Sequence, residues 1–259
     1  ICGELGLENI LVSADIKKKR LNIRKNIIAW LKNPQLGMIP LFMAGDKQFF
    51  YYVNQIKKQT GIRLNIWMAN KFEETNFKVG FSGVSPDFRK DEIHQLFAFQ
   101  KLKLTSYYLS NFIKNTKYLN SSIVDTIGAY FSYYFEKRDG YVNLFDYHPW
   151  DEEAIERVLI DEYNWELSPD TKSTWRIGDG TAPFYNYIYF TIAGFTENDT
   201  FRSNQIREGK ISRELALEKV YEENNAPRWE SIQWYCDTIG IDFKSTINKI
   251  NQIPRLYQK

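Results

Sequence analysis

Apolar and polar positions change in blocks along the first third of the chain. Asn9-Ile-Leu-Val-Ser13 is a short apolar run that predicts a buried strand. From Lys18 to Leu31, Leu21, Ile27, Ile28 and Leu31 recur at helical spacing, and Pro34 ends the segment. Met38-Ile-Pro-Leu-Phe-Met43 predicts a second strand, followed by a polar junction at residues 44–47. An aromatic helix is expected from Gln48 to Gln59, closed by Gly61, and another strand at Arg63–Met68. Strands alternating with helices of this length predict an α/β fold, a parallel sheet with crossover helices.

Beyond about residue 90 the pattern becomes helical. Residues 91–118 and 122–137 read as long aromatic-rich helices, with Asn120-Ser121 capping the second. Further helices are expected at 151–163, 183–193, 212–224, 229–239 and 243–251, with Ser212 as an N-cap and Pro227 as a stop. Two regions follow: an α/β part over residues 1–90 and a mostly helical part over 91–259.

The 259 residues carry 18 Phe, 17 Tyr and 7 Trp with 25% charged residues, which excludes a disordered or disulfide-stapled chain. A net charge of +2 gives no global reason to expect nucleic acid. Locally the charge is uneven: residues 1–70 hold 11 Lys and Arg against 4 acids, and residues 139–170 hold 10 acids against Arg157. Cys2 and Cys236 are too few for a disulfide framework or a zinc site, so a reducing cytoplasm is the expected compartment. No apolar stretch reaches membrane-spanning length, so no membrane partner is expected. His94 and His148 read as structural groups.

Three polar stretches carry candidate chemistry. Ala44-Gly45-Asp46-Lys47 joins a predicted strand to a predicted helix, where free N–H groups favour phosphate. There Gly45 lets the backbone approach a ligand, Asp46 can hold a metal ion and Lys47 can neutralise phosphate; an ordinary capped turn is the competing reading. Glu73-Glu-Thr75-Asn-Phe-Lys78 follows a predicted strand and offers an acceptor, a hydroxyl and a cation at the sheet edge, where a solvated loop is the alternative. The densest stretch runs from Thr174-Trp175-Arg176-Ile-Gly-Asp179 through Phe184-Tyr-Asn186 to Glu197, Asp199, Arg202 and Arg207. Its arginines offer planar forks suited to phosphate or carboxylate.

Taken together and in this order, these stretches resemble the N-acetyl sugar amidotransferase family of surface-polysaccharide and pseudaminic- or legionaminic-type sugar pathways. The likeness is carried by Glu8-Asn-Ile, Lys18-Lys-Arg20, Leu36-Gly-Met38, Ala44-Gly-Asp-Lys47, Glu73 with Thr75 and Phe77-Lys78, and Gly80-Phe81. Its longest part is Thr174-Trp-Arg-Ile-Gly-Asp-Gly-Thr-Ala182, Phe184-Tyr-Asn-Tyr187, Ala193-Gly-Phe-Thr-Glu197 and Asp199–Gly209, with Ile253-Pro254 and Leu256-Tyr257 at the end.

The resemblance implies an ATP pyrophosphatase with an adenine-nucleotide alpha hydrolase-like (Rossmann-like) sheet and a helical substrate-side region. ATP with Mg2+ would adenylate an acetamido sugar, and ammonia from a partner glutaminase with a cyclase-like channelling subunit would give an acetamidino sugar. On this reading Gly45, Asp46 and Lys47 bind the phosphates, with Asp46 as metal ligand. Asp46, Lys47, Glu73 and Lys78 serve catalysis, and Thr75, Trp175, Arg176, Asp179, Asp199, Arg202 and Arg207 bind substrate. Two other readings are a tRNA-modifying relative and a non-catalytic assembly subunit. The family's Ser-Gly-Gly-x-Asp-Ser loop does not occur in these residues, and Ser82-Gly-Val-Ser85 is not its equivalent. The expectation is therefore an N-terminally truncated chain, short of at least one βαβ unit and inactive alone.

Overall fold

The computed structural model describes residues 2–43, 46–75, 77–85, 96–171 and 180–257. Helix α1 spans Ile16–Trp30, with the Asp15 side chain accepting from the Lys18 N–H at 3.0 Å. A 310 helix over Leu36–Met43 and a short one over Asp46–Gln48 lead into α2, Phe49–Thr60. Gly61, at φ 73°, closes α2 in the left-handed region. Strand β1 (Asn65–Trp67), a 310 turn (Lys71–Glu73) and the single turn α3 (Phe77–Gly80) follow. Next come α4 (Ala98–Lys114), α5 (Ser122–Phe135), strand β2 (Tyr141–Asn143) and α6 (Glu152–Arg157), which widens into a π turn over Val158–Glu162. The remaining helices are α7 (Thr181–Ala193), α8 (Glu197–Arg207), α9 (Arg213–Asn225), α10 (Trp229–Ile239) and α11 (Phe243–Asn251).

The described residues are mostly helical, with one sheet of two parallel strands. The register sets Asn65 opposite Tyr141 and Trp67 opposite Asn143. Parallel strands need a crossover, and here α4 and α5 lie in it. Gly140, at φ 73°, delivers the chain into β2, and a Cβ there would collide with the Arg63 carbonyl.

Two expected strands take other forms. Asn9–Ser13 is exposed and lies in no strand; Leu11 is 83% exposed. Neither described strand runs beside it to take its backbone groups. Met38–Met43 is largely buried but coils into the 310 helix, because Pro40 inside it has no N–H to give to a sheet.

The core forms around α7, which is buried on most sides: Phe184, Tyr185, Ile188 and Tyr189 have almost no exposed surface. Trp30 of α1, Met38 and Phe42 of the 310 helix, Ile232 and Cys236 of α10 and Ile250 of α11 complete the same cluster. Trp30 meets Phe42 edge-on at 5.8 Å between ring centres. Residues from both sides of position 90 thus share one core. Buried amides tie α1 inward as well: Asn26 donates to the Leu41 carbonyl at 3.0 Å and accepts from the Ser122 hydroxyl at 2.8 Å. No helix among the described residues is long and apolar enough to cross a membrane.

Candidate functional site

Helix α8 brings the second and third polar stretches together. Thr196 caps its start: the side-chain oxygen accepts from the Asn198 N–H at 3.0 Å, and Asp199 reaches back to the Thr196 N–H at 2.8 Å. Asn224 of α9 reinforces this cap, accepting from the Thr196 hydroxyl at 2.6 Å and donating to Asp199 at 2.8 Å. Asp199, expected on the substrate side, therefore completes a helix cap.

Glu197, the first residue of α8, is the centre of the assembly. Its side chain is 1% exposed, and its carboxylate pairs with the Lys78 ammonium from α3. The Tyr185 hydroxyl donates to its other oxygen at 2.6 Å, and the Asn186 amide donates there at 3.3 Å. Asn186 also accepts from the Glu197 N–H at 3.2 Å. The Lys78 ammonium sits 4.3 Å from the centre of the Tyr185 ring, a cation–π contact that adds to the ion pair. A buried charge is tolerated only with this kind of pairing and hydrogen bonding. The Lys78 side chain keeps 14% exposure, so the arrangement holds a fixed cation just below the surface.

Aromatic rings wall this pair. Phe77 meets Tyr189 and Phe195 edge-on at 5.1 Å between centres, and Phe81 stacks on the same two rings at 5.8 and 6.1 Å. The Tyr189 hydroxyl is buried without a hydrogen-bond partner among the described residues. Burial, and then the charge of Glu197, push its phenol well above the ordinary value.

One turn further along α8, Arg202 is saturated by protein acceptors. Its Nε and Nη2 donate to Glu223 of α9, Nη1 donates to Glu152 of α6 and to Gln205 at 2.8 Å each, and Nη2 also reaches Glu152 at 3.3 Å. The residue is 2% exposed, so its fork holds three helices together. Burial alone would raise the Glu152 carboxyl, but hydrogen bonds and charge from Arg202 outweigh it and hold Glu152 below its ordinary value. At Glu223 burial dominates and, despite Arg202, the carboxyl is raised. Arg207 is exposed at the end of α8 and donates to Asn204 at 2.7 Å.

The other expected site residues distribute as follows. Glu73 is half-buried in the turn that packs on α8, where the Asn204 amide donates to the Phe72 carbonyl at 3.0 Å. Thr75 is half-buried, and its carbonyl accepts from the Lys78 N–H at 3.4 Å. Lys47 is exposed and lies 5.1 Å over the Tyr133 ring of α5, while the Ser132 hydroxyl donates to its carbonyl at 2.8 Å. Lys47 and Lys78 thus pack against different helices. Asp46 opens the 310 turn that precedes α2. Gly45, Trp175, Arg176 and Asp179 lie outside the described residues, as does His94. Among the described residues no three His, Cys, Asp or Glu side chains gather where a metal ion could sit.

Three acids of the segment 139–170 pair with separate bases. Asp146 pairs with Lys71 at 2.6 Å, Glu152 with Arg202 at 2.8 Å and Asp170 with Arg228 at 3.2 Å. Glu197, Tyr185 and Asn186 belong to the densest polar stretch, but nothing in their spacing points to Lys78. The Thr196-x-x-Asp199 capping box was the signal that could have placed Glu197 at a helix start. Comparison with family models, with curated proteins and with solved structures returns no match for this chain.

Proposed function

We propose that this chain is the synthetase part of an amidotransferase acting on an N-acetyl sugar. The observation that supports it is the meeting of Lys78 with Glu197, Tyr185 and Asn186. Two stretches that carry the family resemblance, far apart in sequence, supply one fixed cation at one place. In the proposed reaction the sugar's amide oxygen attacks the α-phosphorus of ATP and pyrophosphate leaves. Ammonia then adds to the activated carbon, AMP departs with the former amide oxygen, and loss of a proton leaves the acetamidino group. A cation near the reacting centre stabilises the negative charge that gathers on phosphate oxygens.

In this reading Lys78 is that cation, and Glu197 and Tyr185 position it. Gly45, Asp46 and Lys47 take the phosphate end of ATP, with Asp46 toward Mg2+, in a Rossmann-like nucleotide domain. Glu73 and Thr75 border the reacting centre. Trp175, Arg176, Asp179 and Arg207 take the sugar side, and Arg202 and Asp199 serve by holding α8 in place. Ammonia would arrive from a glutaminase with a cyclase-like partner, in the cytoplasm.

The test uses the full gene product that bears this sequence, incubated with ATP, Mg2+, ammonium and nucleotide-linked acetamido sugars. Pyrophosphate release should depend on the sugar and fall roughly 100-fold or more in Lys78→Ala. A folded, full-length protein that releases no sugar-dependent pyrophosphate overturns the assignment.

A further inference from the structure

One side of α4 is polar where the helix meets the turn after α1. Tyr107, Ser110, Asn111 and Lys114 recur at i, i+3, i+4 and i+7, so they share that side. With Asn33 and Gln35 from the turn they line a cavity of about 390 Å3. The lining consists of three carboxamides, two hydroxyls and one ammonium, with no carboxylate and no aliphatic residue. An apolar ligand finds little to bury against there, and a cation would meet Lys114 with no acid to offset it.

The frame of the cavity is fixed from inside. The buried Asn115 amide donates to the Ala29 carbonyl at 2.7 Å and ties the end of α4 to the end of α1. The Trp30 indole donates to the Gln35 carbonyl at 2.9 Å and sets the turn. Groups that face the cavity are left over. Thr105 and Ser106 return their hydroxyls to carbonyls one turn back, at 2.8 and 2.9 Å, but Ser110 does not. Among the described residues the Asn33 and Gln35 carboxamides make no hydrogen bond either.

The same two segments carry three lysines. Lys32 precedes Asn33, Lys117 follows Lys114 by three residues, and the Lys32 and Lys117 ammonium groups meet. That hydrogen-bond contact, and then the charge of Lys117, hold the Lys32 ammonium below its ordinary value. Among the described residues neither of them, nor Lys114, pairs with an acid. A lysine in the last turn of α4 complements the helix dipole, which accounts for Lys114 alone. The dipole gives no reason for two like charges to meet, an arrangement that an anion beside them relieves.

We propose that this cavity binds the phosphate ester of a small polyol. The phosphate lies against Lys114 and the Lys32–Lys117 pair. The hydroxyls exchange hydrogen bonds with Asn33, Gln35 and Ser110, each of which can both donate and accept. The cavity shares no residue with the site assigned above and takes its ligand independently of that reaction.

Isothermal titration calorimetry with glucose 6-phosphate should give one site with a dissociation constant on the order of 0.1–1 mM, the range open to a ligand of that size. Inorganic phosphate and glucose each carry half of the recognition and should bind at least ~10-fold more weakly. Lys114→Met and Lys32→Met should each weaken glucose 6-phosphate by about 10-fold, the worth of one charged hydrogen bond. Lys244→Met, at an exposed position of α11, serves as the control and should bind like the parent. All three lysines are exposed, so circular dichroism should be unchanged in every variant. In nitrogen–proton correlation spectra the ligand should move the amides of Asn33, Ser110 and Lys114. No saturable binding at millimolar ligand, inorganic phosphate or glucose binding as tightly as the ester, or lysine variants that bind like the control would each overturn the proposal.

Discussion

The Lys78 ammonium rests on the Glu197 carboxylate although 119 residues of chain separate them. The pair is buried, with side-chain exposures of 14% and 1%. Its energetic character follows from that burial. Removing either partner strands the other's charge, which typically costs about 3–5 kcal/mol. Lys78→Met should therefore destabilise the protein by an amount of that order. Lys78→Met with Glu197→Gln should recover a large part of the loss, because the buried charge is gone and Tyr185 and Asn186 can still bond the amide. A double-mutant cycle in urea checks this; additive losses would mean that the two groups do not interact.

Arg202 gives a sharper test, because only a planar fork can serve Glu223, Glu152 and Gln205 at once. Lysine keeps the charge but offers a single point of contact. Arg202→Lys should cost about 2–4 kcal/mol, close to the loss in Arg202→Met, when urea midpoints are compared. Near-native stability in Arg202→Lys would show that charge alone, without the fork, holds α6, α8 and α9 together.

Asp170 makes stability depend on acid. Burial would raise its carboxyl, but the Ser231 N–H at 2.9 Å, the Ser231 and Ser168 hydroxyls and the Arg228 charge hold it below its ordinary value. The folded state therefore binds the Asp170 proton more weakly than the unfolded chain. The stability this gives is fully present above the unfolded carboxylate value, near pH 4, and is lost as pH falls through the lower folded value. Asp170→Asn should flatten the acid limb of a stability–pH profile below about pH 4 and leave its shape near neutrality unchanged. An unaltered acid limb would refute the role.

Much of the helical framework was legible from caps and spacing. Gly61 ends α2 and Ser212 starts α9, its side chain accepting from the Leu215 N–H at 3.1 Å. The helices at α10 and α11 begin and end as expected. Helix α8 escaped because its buried side is Glu197, Phe201, Arg202 and Gln205. A face of paired polar groups carries no hydrophobic period, although the capping box before it marks the start. The strand expected at Asn9–Ser13 failed for the opposite reason: apolar character is local, but a strand exists only beside a neighbour. The site was legible as a set of stretches and not as a set of contacts. The acidic segment held Glu152, and no spacing links it to Arg202 some 50 residues on.

Because β1 and β2 run parallel, no tight turn can join them, and the whole α4–α5 hairpin lies inside the loop that their pairing closes. Closing a long loop costs entropy before any ladder bond is gained, and distant pairings slow folding for that reason. Contacts within that loop, such as the Lys101 bond to the Tyr134 carbonyl, span less chain than the strand pairing does. With only three residues in each strand, the sheet should open readily, and its amide protons should exchange with solvent while those of α4 and α5 remain protected.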